Sequence, residues 1–171
     1  MKPKTLDRRV RLSVAMTHPI QYYSPWFRHI ARYEPQIDLM VHYCLTPTPA
    51  QQGVGFDRAF SWDSLLDGYP NVVLREPSDS VNIHSSSFFG VSVGEIAESI
   101  RKAKPDTVLV PGWYSWSLIR AAIAGRRLHV PVLFRGDSQL SRVKEPAFSL
   151  RKLRTRGLLR LYWRYLSVGT R

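Results

Sequence analysis

Arg11-Leu12-Ser13-Val14-Ala15-Met16-Thr17, then His18-Pro19-Ile20-Gln21-Tyr22-Tyr23-Ser24, then Pro25-Trp26-Phe27-Arg28-His29-Ile30-Ala31, is the stretch that decides the fold. The first seven residues form a short apolar run of the length of one buried strand. The last seven carry a helix start, with Ser24 as N-cap and Pro25 at the first helical position, and with Trp26, Ile30 and Tyr33 spaced along one face. Between them lies a loop dense in hydrogen-bonding side chains. Ligands of open α/β sheets bind outside the carboxyl ends of the strands. A first loop carrying His18, Gln21 and Tyr22 is therefore a candidate site.

Outward from this unit the alternation continues. Glu34-Pro35 ends the first helix, and 37–43 reads as a second strand. Residues 45–70 carry Thr46-Pro47-Thr48-Pro49 and Gly53-Val54-Gly55 with Phe56, Phe60 and Trp62, and read as a long excursion of the kind that often bears function. A third strand spans 71–74, and a Ser-rich connection follows to 91. Ser92-Val93-Gly94-Glu95 fits a capping box opening a helix with Ile96, Ile100 and Ala103 at helical spacing. A fourth strand over 107–110 runs into Pro111-Gly112-Trp113-Tyr114-Ser115-Trp116. The next helix extends to about 124, with Gly125 as its stop. A fifth strand over 130–135, an amphipathic helix over 147–164 and a sixth strand starting at Tyr165 complete the pattern. Strands alternating with helices predict an α/β, Rossmann-like three-layer domain on a mostly parallel sheet. Residues 1–10 read as a basic disordered lead-in and 11–171 as a single domain.

The 171 residues carry a net charge of +12 and a single cysteine, Cys44. This excludes an intrachain disulfide and a thiolate metal site. No apolar run reaches the roughly 18–20 residues of a membrane span, and a cytoplasmic chain is the simplest expectation. The charge implies an anionic partner or surface. It is concentrated late, with nine basic residues and one acid between 142 and 171. In the 147–164 segment Leu150, Leu153, Gly157, Leu158, Leu161 and Tyr165 form an apolar stripe. Arg151, Lys152, Arg154, Arg156, Arg160 and Arg164 surround it, a pattern suited to an anionic membrane surface or to a core-facing helix with a solvated basic side. No nucleic-acid motif accompanies these cations.

The loops after the first, fourth and fifth strands share one edge of a parallel sheet. That edge gathers His18, Gln21 and Tyr22 with Trp113 and Tyr114, and with Arg135, Asp137 and Ser138. Aromatic faces stack on sugar CH groups, the polar side chains bond hydroxyls, and an arginine suits a phosphate. Plainer roles compete: His18 holding its own loop, Trp113 and Trp116 packing, and Arg135 pairing with Asp137. No Gly-x-Gly-x-x-Gly follows the first strand, which argues against dinucleotide binding there. His42, His84 and His129 lack metal-ligand spacing, and no serine nucleophile elbow is present.

His18-Pro19-Ile20-Gln21-Tyr22-Tyr23-Ser24-Pro25-Trp26, Lys104-Pro105-Asp106-Thr107-Val108-Leu109-Val110, Val130-Pro131-Val132-Leu133-Phe134-Arg135-Gly136-Asp137-Ser138 and Tyr165-Leu166-Ser167-Val168-Gly169-Thr170-Arg171 resemble, in order and spacing, the N-terminal domain of family 4 GT-B glycosyltransferases. The resemblance implies one half of a GT-B fold that binds the acceptor, a glycan or lipid-linked molecule. A second domain, expected beyond Arg171, would hold the nucleotide-sugar as co-substrate. It further implies retaining transfer without a cofactor or metal, often at the inner membrane face. His18 would lie beside the transferred sugar in a catalytic role, and Arg135 to Ser138 would line the acceptor side. The first loop departs from the family's Gly-rich form. On this reading the chain is a fragment, inactive alone. A sugar-nucleotide epimerase fragment of the same fold and a non-catalytic module for anionic membranes are the alternatives.

Overall fold

The computed structural model describes residues 8–53, 58–61, 65–136 and 150–167. Its elements are β1 (Val10–Met16), α1 (Ser24–Tyr33), β2 (Ile37–Leu45), α2 (Pro49–Gln52), β3 (Asn71–Arg75), α3 (Glu95–Ala103), β4 (Thr107–Pro111), α4 (Trp116–Arg127), β5 (Val132–Gly136), α5 (Leu150–Leu159) and β6 (Arg164–Ser167). The six strands form one sheet in the order β3-β2-β1-β4-β5-β6, and every pair is parallel. The expected α/β, Rossmann-like architecture is thus present, and the mostly parallel sheet is parallel throughout. The strand order reverses between β1 and β4, the switch point at which such sheets open a crevice.

Alternation along the strands sorts residues between two cores. Val14 and Met16 of β1, Leu39, Val41 and Tyr43 of β2 and Leu109 of β4 pack with Tyr23, Phe27 and Ile30 of the α1 region. On the other face Ala15, Cys44, Val108, Val110 and Val132 meet Ile96 and Ile100 of α3 and Leu118, Ala121 and Ala122 of α4. Full burial of a side chain such as Phe27 contributes about 2–3 kcal/mol. A polar line crosses the second core. Ser13 Oγ lies 3.0 Å from His42 Nε2, and His42 Nδ1 lies 2.7 Å from Ser99 Oγ on α3. Burial pushes the His42 pKa down to about 4, so the imidazole is neutral and shares hydrogen bonds with both hydroxyls.

Several local expectations change. Ser24 is not the cap: Tyr23 holds that position without a side-chain bond, and Ser24 Oγ donates to the Leu65 carbonyl at 2.7 Å. The helix buries Phe27 and Ile30, whereas Tyr33 is 57% exposed, because the sheet lies under the Tyr23–Phe27–Ile30 side. The Ser92 capping box does not form, and α3 starts at Glu95 behind Gly94. Gly125 does not stop α4, which runs on to Arg127. A Cβ there would come within 2.7 Å of Val132 Cγ2 and 3.2 Å of Val108 Cγ2, so the glycine serves close helix–sheet packing. The long C-terminal helix ends at Leu159, and Arg164 stands on a strand. Gly157, on the expected apolar stripe, has nothing within 4 Å of an added Cβ.

The basic start of the chain is tied to the sheet from Arg8 onward. Arg8 and Arg11 both reach the Asp106 carboxylate, at 2.6 and 3.0 Å, and the Arg11 amide donates to it at 2.9 Å. Arg11 beside it holds Asp106 well below the usual carboxylate range. No described helix is long and apolar enough to cross a membrane.

Candidate functional site

The C-terminal edge of the sheet is built by the loops after β1 and β4 at the switch point, flanked by the end of β5 and the excursions on either side of β3. Gly112 makes the first bend after β4 at φ +96°. A Cβ there would stand 3.0 Å from Tyr114 Cδ1, so only glycine lets the Tyr114 ring fold back over the turn. The ring then reaches across the switch point: Tyr114 Oη lies 3.0 Å from Thr17 Oγ1. The same Thr17 hydroxyl lies 3.0 Å from His18 Nδ1. A three-member relay, Tyr114–Thr17–His18, therefore stitches the loops of β1 and β4.

Burial pushes the His18 pKa down to about 4 and raises that of Tyr114. Both groups are neutral at pH 7. A general base works best with a pKa near the working pH, so His18 in this state suits hydrogen bonding to a hydroxyl better than full proton abstraction. No hydrogen bond among the described residues engages its Nε2.

Two depressions flank this relay. The first, about 340 Å³, is lined by Tyr22, Tyr23, Trp113, Tyr114 and Phe134 with Arg135 at its rim. Trp113 stacks on Phe134 with ring centres 4.8 Å apart. The Arg135 guanidinium sits over the rings of Tyr23 and Trp26 at 4.7 and 5.1 Å. The second, about 560 Å³, is lined by His18, Tyr22 and Tyr114 together with Asp79, Asn82 and His84. Its outer wall is held in place by Gln51, whose amide donates to the carbonyls of Ser78 and Val81 at 2.8 and 2.7 Å. Thr48 and Gln51 form a reciprocal capping box on α2, which makes that short helix a firm support. Ile20, Tyr22 and Tyr114 line both depressions and form the ridge between them.

Of the residues named from sequence, His18, Tyr22 and Tyr114 come together, and Trp113 and Arg135 join them across the ridge. Gln21 is exposed and lines a shallow pocket together with His18, Ile20, Pro47, Gln51 and Gln52, beside the second depression. Asp137 and Ser138 lie outside the described residues. Arg151, Lys152 and Arg154 fall within α5, with their side chains outside the described part. Arg156, Arg160 and Arg164 lie toward the opposite edge of the sheet. Sequence reasoning missed Thr17, the relay's centre, and the wall of Asp79, Asn82 and His84. The hint for that wall was the Ser-rich connection after β3, where Asn82 Oδ1 accepts from the His84 amide at 2.9 Å in the kind of turn such residues favour. Among the described residues no group of His, Cys, Asp and Glu is placed to hold a metal ion.

No family model matches the chain, and no curated protein matches it. Among solved structures, a UDP-N-acetylglucosamine 2-epimerase is similar over 94% of this chain at 14% identity, with a TM-score of 0.50. The chain spans 42% of that protein's length. A glycosyltransferase from Streptomyces sp. SF2575 aligns with 75% of the chain and 39% of its own length, at 11% identity and a TM-score of 0.42. A protein of unknown function from Vibrio parahaemolyticus aligns over 95% of both chains at 10% identity and a TM-score of 0.42. The fold is a GT-B-like α/β domain with its crevice at the β1–β4 switch point.

Proposed function

We propose that this chain is the acceptor-side domain of a glycosyltransferase that moves a sugar from a nucleotide-sugar donor onto a glycan or lipid-linked acceptor. The observation that carries this reading is the pair of contiguous depressions at the switch point, joined by the Tyr22–Tyr114 ridge. Their lining combines aromatic rings and aliphatic side chains such as Met16, Ile20, Val81 and Ile83 with hydroxyls, the Gln51 and Asn82 amides, the neutral His18 imidazole and the Arg135 guanidinium, with Asp79 as the one carboxylate among the described residues. That mixture suits the CH faces and hydroxyls of a saccharide. In this reading His18 offers Nε2 to a sugar hydroxyl, held in orientation by Thr17, and Arg135 marks the side where phosphate or acceptor charge is met. A family 4-like retaining mechanism, and a donor domain supplied in cis or in trans, belong to the same proposal.

The experiment is calorimetric titration of the 171-residue chain with a panel of UDP- and GDP-sugars and with neutral oligosaccharides, repeated with His18→Ala and Tyr114→Phe. Weak saccharide binding that both substitutions reduce, without tight donor binding, is expected. Stoichiometric, tight binding of a nucleotide-sugar to this chain alone would overturn the division of labour. An epimerised nucleotide-sugar from an assembly containing this domain would replace transfer by the epimerase reading, which shares the fold.

A further inference from the structure

The edge of the sheet opposite the candidate site carries its own cavity. In a parallel sheet each connecting helix returns from the strands' C-terminal edge to their N-terminal edge, so the helix ends meet there. Basic residues occupy those ends: Arg32 in α1, Arg101 and Lys102 in α3, Arg126 and Arg127 in α4, and Arg156 in α5. Glu98 takes up Arg101 and Lys102. Among the described residues no carboxylate pairs with Arg126 or Arg127.

Beside Arg126 and Arg127 opens a cleft of about 850 Å³ between the end of α4 and the starts of β5 and β6. Ile123, Pro131 and Leu161 give it an apolar floor, and His129 and Trp163 complete the rim. His129 turns the chain into β5 at φ +57°. The Trp163 amide donates to the Val132 carbonyl at 2.7 Å, which anchors the backbone there, and the residue is 54% exposed at the rim. The Arg164 guanidinium lies 4.3 Å over its ring. Arg126 and Arg127 both line this cleft, and a guanidinium suits the oxygens of a phosphate. An apolar floor and an exposed indole suit an apolar body attached to that phosphate. Inorganic phosphate alone would leave the floor unused.

We infer that this cleft is a binding site for a phosphorylated amphiphile, with its phosphate on Arg126 and Arg127 and its apolar part along the floor against Trp163. The assignment goes beyond the transferase reading and stands independently of it.

The full chain is tested with vesicles of phosphatidylcholine, with and without phosphatidylglycerol, by co-sedimentation. It is tested separately with dispersed dihexanoyl phosphatidylglycerol and with inorganic phosphate, by tryptophan emission. R126Q/R127Q and R101Q/K102Q are compared with the parent after thermal unfolding shows each to be folded. Loss of two cations near an anionic surface predicts binding about thirtyfold weaker in R126Q/R127Q, with R101Q/K102Q close to the parent. Trp163→Phe, at an exposed position, gives an independent reading by abolishing the emission response. Binding of the dispersed lipid without vesicle binding, lost in R126Q/R127Q, keeps the site and identifies a non-bilayer ligand. Equal weakening in the two double variants assigns any vesicle binding to diffuse charge and overturns the site. So does the absence of binding to both lipid forms, or inorganic phosphate binding as tightly as the amphiphile.

Discussion

The two edges of one sheet carry opposed chemistry. At the C-terminal edge the relay at the switch point is half-buried and held neutral, with His18 pushed down to about 4 and Tyr114 raised, while Arg135 and Asp79 keep charge at its margins. Aromatic rings, aliphatic side chains, hydroxyls and amides make up most of the remaining lining. At the N-terminal edge the side chains are charged and solvated, and the Asp106 carboxylate is drawn in by Arg11 and Arg8. A parallel sheet offers loops and helix starts at one end and helix ends at the other. Cations at helix ends are favoured by the helix dipole, which accounts for the run of arginine and lysine at the N-terminal edge. The difference teaches that polarity here follows the direction of the backbone, not the order of the sequence.

The largest expected effect tests the neutrality of the histidines. His42 and His18 have folded values near 4, against 6.5 in the unfolded chain. Below about 6.5 the unfolded chain takes up protons that the folded chain refuses. Stability is therefore full above about pH 6.5 and falls as pH drops toward 4, by on the order of 3 kcal/mol for His42. Urea midpoints measured across that range should show the fall, and His18→Gln should remove the share belonging to the C-terminal edge. A flat profile would show that His18 and His42 are not held neutral and would remove that side of the contrast.

Next in size is Gly125→Val, which forces α4 off Val108 and Val132 beneath the basic cleft. A loss of about 2 kcal/mol by chemical denaturation is expected from overpacking. Tyr114→Phe removes the hydroxyl on Thr17 and should reduce stability by about 1 kcal/mol, with a further loss of saccharide binding that a merely structural contact would not produce. The smallest effect has the opposite sign. Gly157→Ala fills open space on α5 and should stabilise by about 0.7 kcal/mol. A loss there would show that this part of the N-terminal edge needs the glycine for another reason.

The fold was legible because strand and helix periods alternate cleanly, from the Arg11–Tyr33 unit to the last strand. What escaped was decided by contacts between distant residues. Ser24 has the chemistry of a cap, but Leu65 offers its hydroxyl a carbonyl. Gly125 has the look of a helix stop, but the branched side chains of Val108 and Val132 require its lack of a side chain. His18, Tyr22 and Tyr114 could be found because strand-end loops converge in any parallel sheet. Thr17 could not, since nothing in a lone threonine tells that two neighbouring loops share its hydroxyl. The wall of Asp79, Asn82 and His84 depends on Gln51, 27 residues from Ser78 and 30 from Val81.

The strand order also sets a timetable. β1 lies between β2, which follows it closely, and β4, which does not: Arg11 and the Asp106 that clasps it are 95 residues apart. At a synthesis rate of about 5–20 residues per second, one flank of β1 stays unpaired for roughly 5–20 s while the chain is made. An open strand edge is a template for unwanted pairing. The nascent N-terminal half therefore passes through an aggregation-prone interval that ends only when β4 emerges from the ribosome, and chaperone demand should be concentrated there.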